Sequence, residues 1–117
     1  MNPIRDKSYA FALHIVVFCK KLQQGQKEYV LSKQLLRSGT SVGANVEEAQ
    51  KAQSKRDFAS KCAIALKEAY ESRFWLRLIC DSGCSSRSET APLSKDIEEI
   101  IRLLAAIVKS ANKNLSL

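Results

Sequence analysis

Between Leu35 and Ile79 the chain carries two helical patterns end to end, and this stretch limits the architectures open to the rest. In the first pattern Leu31, Leu35, Val42, Val46 and Ala49 fall on one side of a wheel, with Gly39 and Gly43 on its margin. Each glycine inside a helix costs about 1 kcal/mol relative to alanine, so the pair needs a reason. Their four-residue spacing stacks them on one face, where another helix can come close. Phosphate cradles instead place glycines in a loop before a helix start, which favours the packing explanation.

The second pattern opens at Ser54, with Asp57 three residues on, close to a capping box that starts a helix at Lys55. It extends to Cys80 or Asp81. Its apolar arc holds Phe58, Ala59, Cys62, Ala63, Ala65, Leu66, Ala69, Tyr70 and Leu76. Ile64 and Trp75 share a different azimuth among Ser60, Lys67, Glu68 and Glu71, and mark a seam between helices or subunits.

Two further helices complete the pattern. The first runs from Asp6 or Ser8 to Gln24, with Asp6 as candidate N-cap and Gly25 just past its end. Phe11, Ile15, Phe18 and Leu22 form one apolar face; Tyr9, Leu13, Val16 and Val17 form another. Two apolar faces on one helix of a small domain call for a second cover, a neighbouring helix or another subunit. Ser32 is the candidate cap of the next helix, which reaches about Gln53. Asp81 to Pro92, DSGCSSRSETAP, has the composition of a solvated loop. A last helix is expected from near Ser94, with Asp96, Glu98 and Glu99 at the positive end of its dipole. Its stripe of Ile97, Ile100, Ile101, Leu104, Ile107, Val108 and Ala111 is the cleanest in the chain, and Asn112 to Leu117 is expected to fray. Four amphipathic helices joined by polar turns predict an all-α, antiparallel up-and-down four-helix bundle, one domain over residues 1–117.

Catalytic patterns are missing. His14, the single histidine, sits in an apolar helix without a charged neighbour at helical spacing, which suits a core or interface position better than catalysis. Arg5 lies too far from it for the arginine-then-histidine arrangement of some helical-bundle ribonucleases. No Glu-x-x-His pair, HExxH, nucleophile elbow or phosphate loop occurs. Glu47, Glu48, Glu68 and Glu71 have Arg37, Lys51 and Lys67 nearby, so ion pairing explains them more simply than acid–base work. Cys19, Cys62, Cys80 and Cys84 form no CxxC pair, and Cys80 with Cys84 lacks further ligands for a metal. Reduced thiols, no signal peptide and no span long enough for a bilayer point to a cytoplasmic protein, not a membrane one. No enzyme activity, cofactor or metal is expected.

Charge is the remaining clue. The chain carries a net +7, and residues 1–37 hold seven basic against two acidic side chains. A second basic cluster surrounds the junction at Ser54. Lys20, Lys21, Lys33, Arg37, Lys51, Lys55, Arg56 and Lys61 are the candidates for contacting nucleic-acid phosphates, although the same residues could serve only as a solubilising surface. Sequence-specific readout is not expected, since no groove-reading helix or interleaved aromatics accompany them.

QLLRSGTSVGANVEEAQ at Gln34 to Gln50 and DFASKCAIALKEAYESRFWLRLI at Asp57 to Ile79 carry a resemblance. They combine Arg37-Ser38 and Gly43-Ala44-Asn45 with Ala65-Leu66-Lys67-Glu68-Ala69, Glu71 and Trp75-Leu76. The chain resembles the four-helix-bundle family encoded in intervening sequences of bacterial large-subunit ribosomal RNA genes, whose members are often labelled ribosomal proteins. A related group, the accessory variability determinant proteins of diversity-generating retroelements, forms basic barrel-like homopentamers that engage nucleic acid and a reverse transcriptase. The resemblance implies a homo-oligomer, a pentamer, with nucleic acid or a protein such as a polymerase subunit as partner. Ile64 and Trp75 are then the candidate oligomer-interface residues.

Overall fold

The computed structural model describes residues 2–115. Its four helices are α1 (Pro3–Gly25), α2 (Val30–Gln50), α3 (Lys55–Asp81) and α4 (Arg87–Leu115). Each packs on the next, and α4 returns to α1, so α1 and α3 stand at opposite corners. The bundle measures 50 × 25 × 20 Å. The α1–α4 seam is the slimmest of the four and is crossed by exposed pairs: Lys7 with Glu99, His14 with Asp96, and Lys21 with Glu89.

Helix starts follow from who accepts the first free amides. At α1 the acceptor is Asn2, 3.2 Å from the Arg5 amide, and Pro3 opens the helix without losing a bond. Asp6 is therefore not the cap, and the helix begins earlier than expected. Ser32 is not the cap of α2 either. The Glu28 carboxylate accepts from the amides of Val30, Leu31 and Ser32 at 3.2, 2.9 and 2.8 Å, while the Ser32 hydroxyl donates back to the Glu28 carbonyl at 2.7 Å. Burial opposes charge on Glu28, but these amides outweigh it and hold its pKa below the usual value. The turn into this arrangement puts Lys27 at φ 53°. α2 ends at Gln50 rather than Gln53.

α3 starts where the sequence places it. Ser54 Oγ accepts from the Asp57 amide at 3.0 Å, and the Asp57 carboxylate accepts from the Gln53 amide at 3.1 Å. The expected loop at Asp81 to Pro92 is mostly helix. Gly83, at φ 84°, turns the chain after α3. Ser86 Oγ then accepts from the Glu89 amide at 3.1 Å and caps α4 well before Ser94. Pro92 lies inside α4, near its start and exposed, at the cost of the one bond its missing N–H would have made. α4 stays helical through Asn112 to Leu115, contrary to the fraying expected there; residues 116–117 lie outside the described residues.

Phe11, Ile15, Leu35, Val42, Leu76, Ile79, Ile97, Ile100 and Leu104 fill the centre. The glycine pair in α2 has its reason. A Cβ at Gly39 would stand 2.9 Å from Ile15 Cγ2, and one at Gly43 would stand 3.2 Å from the Ser8 carbonyl oxygen. α1 thus lies on α2 almost backbone to side chain. Between α2 and α3 the buried Ser38 and Ser72 hydroxyls meet at 3.0 Å. One expectation about the interior fails, since Tyr70 lies outside the core arc of α3; of the two positions expected for His14, its exposure on α1 removes the core one.

Candidate nucleic-acid interface

Antiparallel order distributes the eight candidate cations. Lys20 and Lys21 at the end of α1 lie near Lys33 in α2, while Lys51, Lys55, Arg56 and Lys61 cluster around the α2–α3 junction at the other end. The structure therefore makes two patches rather than one. Arg37 belongs to neither.

Local acids divide them further. Lys21 Nζ lies 3.6 Å from Glu89, and Lys61 Nζ lies 3.1 Å from Glu48. Arg37 bridges to α3, donating to Glu68 at 2.8 Å and also to Glu71. The Trp75 indole donates to the same Glu71 carboxylate at 2.9 Å. Together Trp75 and Arg37 hold Glu71 below the usual carboxylate pKa despite its partial burial. Arg37 is thus engaged inside the chain. Among the described residues, Lys20, Lys33, Lys51, Lys55 and Arg56 have no carboxylate within ion-pair distance, and three of these five are neighbours at the α2–α3 junction.

Sequence reasoning missed two contributors to this end. Lys109 and Lys113, both exposed, lie in the last turns of α4, which run beside the first turns of α3. The signal was available: antiparallel α3 and α4 bring the last turns of α4, Ser110 and Asn114 among them, beside Lys55, however far apart they are in sequence.

Two apolar faces are left uncovered by the bundle. On α1, Tyr9, Leu13 and Val17 are 63%, 51% and 59% exposed. On α3, Ile64, Tyr70, Phe74 and Leu78 are exposed, and Trp75 sits at the core margin with the Phe74 ring edge-on at 5.0 Å. Of the two candidate interface residues, Ile64 is open and Trp75 is half-buried and hydrogen-bonded. Because α1 and α3 occupy opposite corners, these faces point away from each other.

Little in the way of chemistry is assembled. His14 Nδ1 is 4.0 Å from Asp96 on an open surface. All four cysteines are free thiols, and burial pushes Cys19 up to about 12. Among the described residues no three His, Cys, Asp or Glu side chains gather as metal ligands, and no helix is long and apolar enough to cross a membrane.

What remains is an all-α up-and-down bundle whose distinctive features are surfaces: two apolar faces and a basic end. The model of the 23S rRNA-intervening sequence protein family matches residues 2–106, and the chain belongs to that family. A crystal structure from Bacteroides thetaiotaomicron, described as a protein with unknown function from the S23 ribosomal protein family, is 48% identical. It superposes with a TM-score of 0.89 over 91% of this chain and 98% of that one. No match was found among curated proteins.

Proposed function

We propose that this protein is a non-enzymatic, homo-oligomeric helical bundle of the cytoplasm that binds RNA or DNA without sequence specificity through exposed lysine and arginine. The observation that carries this is the cluster of Lys51, Lys55 and Arg56, three neighbouring cations with no carboxylate within ion-pair distance among the described residues. Such a cluster gains affinity for phosphates by releasing their condensed counterions. The net charge of +7 supports the same reading, and repeated around an assembly it multiplies the attraction.

Assembly is supported by the uncovered faces of α1 and α3. Different patches on opposite sides suit head-to-tail association, which forms a ring where the rotation between subunits closes; the pentamer is the ring that the family resemblance implies. Fluorescence anisotropy with labelled single and double strands at low salt tests binding, and failure to bind any of them sinks it. Light scattering coupled to sizing tests the assembly, and a monomer would remove it.

A second reading is favoured by Tyr70, Phe74 and Leu78 on α3, an apolar stripe suited to a different protein. In it the bundle is a scaffold or accessory subunit for a nucleic-acid enzyme such as a reverse transcriptase. One stable protein partner surviving nuclease treatment, together with no direct strand binding, would favour it.

A further inference from the structure

Beside the unpaired cations an open groove of about 680 Å³ separates the α2–α3 junction from the last turns of α4. Its apolar lining includes Ala49, Phe58 and Ile107, and its polar lining includes Lys55, Ser110 and Asn114. We infer that this groove accepts an unpaired base of a single-stranded nucleic acid, with Phe58 as stacking surface and Lys55 and its neighbours holding the flanking phosphates. The inference rests on the nucleic-acid reading above and adds to it a strand type and a subsite.

Three observations converge on a base. The volume lies within the range of small-molecule pockets and exceeds what one nucleobase needs. Phe58 is only partly buried, so its ring remains available to a planar ligand, and stacking on an aromatic is tolerant of base identity. The Ser110 and Asn114 side chains make no hydrogen bond within the chain among the described residues, which leaves donors and acceptors free for a base edge. A duplex keeps its base faces stacked and cannot offer one. A second copy of this chain would set another positively charged molecule against Lys51, Lys55 and Arg56, whereas a strand brings the opposite charge.

Two of the five polar lining residues, Ser110 and Asn114, lie in the last turns of α4, beyond residue 106, where the family match stops.

The test is anisotropy of the full chain with a labelled oligothymidylate of about ten nucleotides and with a duplex of the same length at matched salt. Wild type is expected to prefer the single strand. Phe58→Leu keeps an apolar side chain but removes the ring, and should weaken single-strand binding roughly tenfold while leaving the duplex within about twofold. Ser110→Leu, at an exposed position, fills the groove without touching the core and should produce the same selective loss at unchanged oligomer mass. Unchanged single-strand affinity in Ser110→Leu would overturn the subsite while leaving general phosphate binding intact. A changed mass would overturn it too, since the groove would then be a contact between copies. Absence of binding to both probes by wild type would overturn the subsite and the broader proposal together.

Discussion

The two ends of the bundle are both rich in basic side chains and differ in where their acids are spent. At the α1–α2 end Lys21 faces Glu89, and Glu28 is bent over the first amides of α2. At the α2–α3 end Asp57 is turned onto the Gln53 amide and Glu48 onto Lys61, so that among the described residues Lys51, Lys55 and Arg56 have no ion-pair partner, with an open groove beside Lys55. Counting charges along the chain credits residues 1–37 with the larger excess, yet Arg5 and Lys7 of that count lie at the start of α1, beside the end of α2. Following the lone pairs of each carboxylate leaves Lys20, Lys27 and Lys33 unpaired at the first end among the described residues and Lys51, Lys55 and Arg56 at the second, so what sets the second end apart is the groove and Lys109 and Lys113 of α4 beside it.

The sharpest way to break this contrast is charge removal at each end. Replacing Lys51, Lys55 and Arg56 together by Gln should cost roughly 100-fold in single-strand affinity at low salt and flatten the salt dependence by about two, near 0.7 per lost phosphate contact. The same change at Lys20, Lys21 and Lys33 should cost about tenfold less, measured by the same titration. Equal losses would mean that the ends are equivalent.

Arg37 lies between them and sharpens the distinction between structural and binding cations. Arg37→Gln should lower stability by about 1 kcal/mol in urea unfolding, a modest figure because the side chain is half exposed, and leave strand affinity within about twofold. A large affinity loss at unchanged stability would return Arg37 to the phosphate surface.

At the closed end Glu28→Gln should cost about 0.5–1 kcal/mol through a weaker cap, with no effect on binding. The pH dependence has the matching sign. Glu28 and Glu71 are held below the ordinary carboxylate value of 4.5, so their stabilisation is complete above it and is lost as pH falls through the depressed values. Thermal midpoints should therefore drop as pH falls below the ordinary carboxylate value of 4.5, and the drop should shrink in Glu28→Gln. A midpoint indifferent to pH below that value would show that neither carboxylate matters to folding.

Most of the fold was legible because its signals are local. The periodic stripes, the Ser54 to Asp57 box and the glycine pair each report on a few neighbouring residues, and the structure places the box and the glycine pair as read and the stripes with the exception of Tyr70. The errors share one cause. Ser86 with Glu89 is also a capping pattern, yet it was hidden in a serine-rich run before Pro92, which reads as a loop when composition is weighed over hydrogen-bond position. Glu28 escaped notice because it caps from outside the helix with both carboxylate oxygens. At the candidate site the cations were visible but their neutralisation was not. Whether Lys61 meets Glu48, or Arg37 meets Glu68, is decided by helix pairing across a seam, which no single helical wheel contains.

The slim seam between α1 and α4 has a dynamic consequence. Three of the four edges of this ring are closed by broad packing, so the structure has one edge along which it can breathe. Amide hydrogen exchange should find α1 losing protection before α2 or α3, and rising salt should hasten that loss, since Lys7–Glu99, His14–Asp96 and Lys21–Glu89 are exposed clasps on an edge with little packing beneath. The helix that would first come loose also carries Tyr9, Leu13 and Val17 on its outer side. A neighbouring subunit seated there would act as a splint, making the exchange rate of α1 a direct report on assembly.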